Sequence, residues 1–268
     1  MERKKIEKEH YNKQAGEIIK KNYLNFDWKK YGSQRQGPIL GTPFRFTEEK
    51  IKKIIKKKRE KEEALYFLDY GCGMGVHSIF PAKLGAEVYG IDISDKSIEM
   101  AKEWAKREGV EGQTTFRVMD CEKVEFQDNC FDIVFNCGTL SCLDRQRAYS
   151  EIVRVLKPEG YLISVDTLGH NPFLNLNRKI KWKRGLRTQQ TLGNILKIKD
   201  IEMAKQHFGK TEVYFYHLIS WVMVPFEKVP GFNVIARFLE NIDQVLLKLK
   251  FFQKYAFKVV FIFSQPRK

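Results

Sequence analysis

The sequence predicts an α/β protein built on a mostly parallel sheet with helices on both faces. Three observations carry this. Between residues 64 and 166, short apolar runs alternate with amphipathic segments, the texture of β–α–β units. The first apolar run ends in three closely spaced glycines, Gly71, Gly73 and Gly75. Later runs end in Asp92, Asp120 and Asn136. Open α/β sheets bind ligands at the carboxyl ends of their strands, so these positions converge on one rim.

Taken in order, residues 3–22 and 47–63 read as two charged helices joined by an aromatic link over 23–46. Thr47 is the expected N-cap of the second, with Glu48 and Glu49 in its first turn. The run Lys56-Lys57-Lys58-Arg59 is expected on a solvated helix face. Strands are expected at 65–70, 87–91, 114–119, 131–136 and 161–165, and helices at 75–84, 95–108 and 145–156. Pro158 stops the last helix, and Gly160 allows the turn into the next strand. Residues 167–200 read as basic and irregular, with a short helix near 199–208. A strand at 211–222, an amphipathic helix at 232–250 and an apolar strand at 257–263 complete the chain. The expected organisation is a helical cap (1–63), a ligand-binding core (64–166), an acceptor-side insertion (167–210) and a segment completing the sheet (211–268). Together these make one structural domain.

The 268 residues carry a net charge of +15, unevenly spread. Residues 1–63 contribute +9, residues 64–166 −6 and residues 167–268 +12. A uniformly basic nucleic-acid module would not divide this way, so nucleic acid is not the expected partner. The five cysteines, Cys72, Cys121, Cys130, Cys137 and Cys142, form no Cys-x-x-Cys pair. Free thiols and a cytoplasmic location follow as expectations, and no metal site is expected. The start is charged with no apolar h-region, and no run approaches the ~20 residues of a membrane span.

The strongest chemical signal is Phe67-Leu-Asp-Tyr-Gly-Cys-Gly-Met-Gly-Val-His-Ser-Ile79. Its glycines let the backbone turn sharply and approach a ligand closely. The third glycine comes one residue earlier than in the dinucleotide fingerprint. Asp69 places a carboxylate by the loop, which suits a ligand bearing an ammonium and a sulfonium and would repel a pyrophosphate. Asp92 lies 21 residues after Gly71, near the ~20-residue offset at which an acidic residue takes ribose hydroxyls. Asp120, beside Cys121, could accept from an adenine amino group.

Those motifs, in this order over about 100 residues, resemble the cofactor-binding half of class I, Rossmann-like S-adenosylmethionine (SAM) dependent methyltransferases. Asp69, Gly71, Gly73 and Gly75 match the first motif of that family and Asp92 the ribose carboxylate. Asp120 and Cys121 match the adenine side, and Asp132 with Asn136, Cys137 and Gly138 the fourth motif. The phrase from Glu151 to Leu162 matches the following helix–turn–strand. The resemblance implies a seven-stranded sheet with an antiparallel last strand and SAM as cofactor. It implies cofactor contacts from Cys72, His77 and Ile93 beside those motifs, and from Tyr11, an aromatic closing over the methionine end. The implied activity is methyl transfer to a small-molecule acceptor, on oxygen or nitrogen of a sugar, lipid, quinone or other metabolite.

The acceptor side rests on Gly169-His-Asn-Pro172 and the residues beyond. This segment is similar to a group of methyltransferases associated with surface-glycan genes, except that Leu192-Gly193 stands where that group has His-Pro. Asn171, Asn175, Arg178 and Arg187 are the candidate acceptor-binding residues. His170 is the first candidate for a general base, then His217 and Asp166. The stretch 169–188 is expected to form one wall of the acceptor pocket, with the N-terminal helices as lid.

Competing readings remain. A short-chain reductase would need a Tyr-x-x-x-Lys pair, and no tyrosine here has a lysine four residues on. An RNA or protein methyltransferase would use the basic flanks, but Asn136-Cys-Gly-Thr139 is no base-flipping motif. A non-catalytic SAM-binding protein is the third. The helical spacing of Val234, Ile235, Phe238, Leu239, Ile242, Val245, Leu246 and Leu249, followed by Lys248, Lys250 and Lys254, fits either sheet cover or a helix lying on an anionic membrane. Sheet cover is the expectation, with peripheral membrane contact as its alternative. The oligomeric state is not legible.

Overall fold

In the computed structural model of the chain, residues 2–20, 37–227 and 229–268 are described. Residues 21–22 of the first expected helix and most of the expected link lie outside them. The N-terminal part holds α1 (Glu2–Lys20), α2 (Gly37–Leu40) and α3 (Thr42–Arg59). α3 starts five residues before the expected N-cap. Pro43 stands in its first turn, where a missing N–H costs nothing. Thr47 is buried inside the helix, its hydroxyl donating to the Phe44 carbonyl at 2.8 Å. Phe44, Ile51 and Ile55 form the apolar stripe that seats α3 on the core. Lys56, Lys57 and Arg59 face solvent.

The strands are β1 (Tyr66–Tyr70), β2 (Glu87–Asp92), β3 (Thr114–Val118), β4 (Phe131–Cys137), β5 (Leu156–Thr167), β6 (Phe208–Tyr216) and β7 (Lys258–Pro266). They form one seven-stranded sheet in the order β3-β2-β1-β4-β5-β7-β6. β1 to β5 are mutually parallel, and β7 runs antiparallel between β5 and β6. The strand order reverses between β1 and β4, the switch point at which such sheets open a ligand crevice. Crossovers run through α4 (Ile79–Lys83), α5 (Asp95–Arg107) and α6 (Arg145–Val155). Phe131 pairs with Leu156 but Ile133 with Tyr161, so the Pro158 and Gly160 turn bulges out between paired ends of β5.

Each sheet face carries its own apolar layer. Leu68, Tyr70, Val134, Leu162, Phe261 and Phe263 belong to one, and Phe67, Ile133, Phe135, Ile163, Val260 and Ile262 to the other. Strict alternation along the strands therefore decides which side any polar residue takes.

Four expected elements come out differently. The helix expected at 75–84 is reduced to α4, because residues 71–78 are spent on turns of the glycine loop. The strand expected to reach 222 stops at Tyr216, where His217 adopts φ 62° and turns the chain into a 3₁₀ segment, Ser220–Phe226. The stretch 167–200 is largely helical, with α7 (Pro172–Lys183), α8 (Gln189–Gly193) and the start of α9 (Ile198–Lys205). Asn171 caps α7 by accepting from the Phe173 and Leu174 amides, and Pro172 follows in the first turn.

The fourth difference concerns α10 (Phe232–Leu246), followed by α11 (Lys250–Gln253). α10 does not cover the sheet. It packs through Phe232 and Ala236 onto α2 and the Ser220–Phe226 turn, and Asp243 pins it by accepting from the amides of Leu218, Ile219 and Ser220. Val234, Ile235, Phe238 and Val245 are left in solvent.

Candidate active site

β1 runs into Gly71, whose φ of +75° only glycine adopts without strain. A Cβ there would stand 2.2 Å from the Thr139 Oγ1, so the loop and the segment after β4 are in contact only because Gly71 has no side chain. Asp92, at the end of β2, accepts from the amides of Gly73 and Ser94, both at 2.9 Å. The loop is thus held open around a cavity of about 400 Å³, within the range of small-molecule sites.

The cavity spans the carboxyl edge of the sheet. At the β3 side it is bounded by Asp120, Cys121, Glu122 and Cys142. Gly71, Cys72, Gly73, Asp92 and Ile93 line its middle, and Cys137, Gly138 and Thr139 its floor beyond β4. Phe44, His77 and Lys258 close the far end. α1 lies across the top through Arg3, Lys4, Glu7 and Tyr11, side chains spaced to share one helix face. Arg3 pairs with Glu122, Lys4 with Asp120, and Tyr11 Oη lies 3.2 Å from Cys142 Sγ.

Of the residues assigned to the cofactor from sequence, Tyr11, Gly71, Cys72, Gly73, His77, Asp92, Ile93, Asp120, Cys121, Cys137 and Gly138 stand on this cavity. Three do not. Asp69 is fully buried beneath the loop and accepts from the Ser78 hydroxyl at 2.7 Å, tying the start of α4 to β1. Burial raises its pKa to about 7, and its one described side-chain bond is within the loop and not to the cavity. Gly75 approaches α5 instead, where a Cβ would come within 2.9 Å of Ala101. Asn136 points into the sheet face opposite Phe135 and donates to Ser164 and Asp166, both at 2.7 Å. Asp132, at the amino end of β4, holds the Tyr66 amide, Lys58 and Lys157 far from the cavity.

The acceptor-side expectations need correction. Among the described residues, none between 145 and 257 lines the cavity. His170 accepts from the Ile198 amide and borders a separate hollow beside Lys250 and Lys254, away from the cavity. His217 is buried at the β6 corner against Ser220 Oγ at 3.2 Å, its pKa drawn down to about 3 by burial. Asp166 is locked to Ser164 and Asn136 on the face opposite Lys258, and burial raises its pKa. Asn171 caps α7, and Asn175 bridges the Gly169 carbonyl and Arg178. Arg178 and Arg187 do not touch the cavity; their charges reach it only by lowering the pKa of Lys258.

Several residues on the site were not anticipated, Glu7, Phe44 and Lys258 among them. Glu7 is buried, one carboxylate oxygen accepting from Thr188 Oγ1 at 2.6 Å and the other without a hydrogen-bond partner among the described residues. Phe44 stacks on His77 with ring centroids 5.5 Å apart. Lys258 is 8% exposed and lies 5.1 Å over the Phe44 ring, with no ion pair among the described residues. Burial lowers its pKa and draws that of His77 to about 4, so His77 is neutral at pH 7.

Residues 68–164 match the family described as Methyltransferase domain. This stretch, which runs from β1 into β5 and frames the cavity, is similar to a methyltransferase domain. The chain is 30% identical over 136 residues to the sterol 4-C-methyltransferase of Caenorhabditis elegans, covering 49% of this chain and 41% of that protein. It is 32% identical over 142 residues to a sterol 24-C-methyltransferase of Aspergillus fumigatus, covering 52% and 38%. The chain thus spans about two fifths of the length of these relatives. Geranyl diphosphate C-methyltransferase from Streptomyces coelicolor, solved with S-adenosyl-L-homocysteine, superposes with a TM-score of 0.58 at 15% identity, covering 84% of this chain and 77% of that one. Phosphoethanolamine N-methyltransferase 2 of Haemonchus contortus gives 0.55 at 21%, covering 76% and 49%. At such identities the likeness is one of fold.

Proposed function

We propose that this chain transfers the methyl group of SAM to a small-molecule acceptor held at the Phe44–His77–Lys258 end of the cavity. One observation carries the reading. The Gly73 amide, which a pyrophosphate would need, already donates to Asp92, so the loop offers a carboxylate where a dinucleotide site offers N–H groups. Asp92 suits ribose hydroxyls, and Asp120 with Cys121 borders the purine side. The methionine end would run past Gly71 and Gly138 towards Glu7, whose oxygen without a partner among the described residues can take the ammonium group.

SAM supplies an activated methyl group, so the protein's contribution is positioning and charge. Thr139 and Cys137 fix the floor against which an acceptor rests. Lys258, held by aromatic rings and not by a carboxylate in contact, is the group that stabilises negative charge on the acceptor oxygen as its proton leaves. His77, neutral and without a hydrogen-bond partner among the described residues, presents a ring nitrogen for that proton.

The direct test uses tritiated-methyl SAM with separated polar and lipid extracts as acceptor sources. Time-dependent label in a small-molecule fraction is expected, and Thr139→Val, which removes the hydroxyl that donates to the Gly71 carbonyl at 3.3 Å, should reduce it. Label confined to protein or RNA would replace the acceptor class.

A further inference from the structure

Among the described residues 18 large hydrophobic side chains are exposed, and 15 of them lie between Phe173 and Phe251. The clustering has a topological cause. That stretch contains the connection from β5 to β6 and the one from β6 to β7. β5 and β6 end, and β7 begins, at the carboxyl edge where the cavity opens, with Lys258 the first residue of β7. The solvent-facing apolar residues therefore surround the acceptor end of the site.

Two helices dominate. On α7, Phe173, Leu176 and Ile180 recur at intervals of three and four and are 72%, 60% and 43% exposed. On α10, Val234, Phe238 and Val245 recur at intervals of four and seven, one helix face, on the side turned from α2. The head of α7 meets the chain that follows α10 and α11, since Asn171 donates to the Tyr255 carbonyl at 3.2 Å. Exposed apolar stripes of this extent mark a surface made for an apolar medium.

Charge indicates which medium. Between Asp166 and Asp200 the chain has eight lysines and arginines and no acidic residue. Lys248, Lys250 and Lys254 border the second helix. The acidic groups of α10 are engaged internally, Glu240 by Thr42 and Asp243 by three backbone amides. Apolar stripes ringed by fixed positive charge complement a bilayer with anionic headgroups, whereas a second copy of a +15 chain would be repelled. No described helix is long and apolar enough to cross a membrane, so the contact is interfacial.

We propose that the α7–α10 face seats the protein on an anionic bilayer, so that the acceptor reaches the cavity from the membrane. The delivery of an acceptor rests on the methyl-transfer reading; the docking does not.

Flotation with phosphatidylcholine vesicles, with and without phosphatidylglycerol, tests it. At low salt the bound fraction should be at least about tenfold higher on the anionic vesicles and should fall as salt screens the contact. The triple variant Phe173→Ser, Leu176→Ser, Ile180→Ser alters only exposed side chains and should lose about tenfold in vesicle binding. Lys179→Glu with Lys181→Glu and Lys183→Glu should lose at least as much. Failure of the native chain to float with anionic vesicles overturns the proposal. So does flotation that the α7 variants leave unchanged, or a dimer in sedimentation velocity that the serine variants dissociate. Calorimetry with S-adenosylhomocysteine on the same samples separates the two readings. Cofactor binding without flotation refutes the docking alone, and flotation without cofactor binding refutes the methyl-transfer reading alone.

Discussion

Gly71→Ala is expected to weaken S-adenosylhomocysteine binding by more than about a hundredfold in a protein that still folds. Two costs add. The backbone at φ +75° is unfavourable for any L-residue by about 1–2 kcal/mol. The new Cβ must also displace Thr139, whose Oγ1 would stand 2.2 Å away. About 2.8 kcal/mol is enough for a hundredfold change. The two costs can be told apart by Gly71→Ala combined with Thr139→Gly, which restores space but not backbone freedom. That double variant should recover part of the affinity, measured by calorimetry with circular dichroism as control for folding. Full affinity in Gly71→Ala would mean that the contact between the glycine loop and the segment after β4 plays no part in holding the cofactor.

The second large effect is catalytic. Lys258→Met keeps the length and apolar stem of a buried side chain and removes its charge. Cofactor affinity should stay within about threefold, because Asp92, Gly73 and Asp120 are untouched, while turnover falls by roughly 10²–10⁴ if the ammonium stabilises charge on the acceptor. The pH dependence has a definite sign. Burial lowers the Lys258 pKa, so the charged form is complete at low pH and is lost as pH rises through a value below the ordinary 10.5. The wild-type rate should therefore decline on the alkaline side earlier than a free lysine would, and Lys258→Arg, which stays charged, should remove that decline. A methionine variant with unchanged turnover would leave Lys258 as packing for Phe44.

Much of the core was legible because its signals are local. An apolar run ending in Gly71, Gly73 and Gly75, and a second ending in Asp92, name both the strands and the rim they share. Asp69, Asn136 and Asp166 were misassigned for a physical reason. Parallel strands covered on both faces are apolar throughout, so the alternation that decides where a polar residue points leaves no trace in sequence. The N-terminal helices were expected as a lid through Tyr11, but which of their other side chains, Glu7 and Phe44, and which residue of β7, Lys258, reach the cavity is decided by tertiary packing. α7 was missed although it carries its own start signal, Asn171 followed by Pro172, and apolar residues at helical spacing. Its basic residues masked both. The solvent-facing stripe of α10 had the periodicity of sheet cover, and only its packing on α2 shows which face is free.

The central claim is that this cavity holds SAM and not a dinucleotide. Isothermal titration of the purified chain with S-adenosylhomocysteine and, separately, with NAD and NADP tests it most directly. Saturable one-to-one binding of S-adenosylhomocysteine, lost in Asp92→Ala, with no heat from either dinucleotide, is the expected result. Binding of a dinucleotide with none of S-adenosylhomocysteine would contradict it.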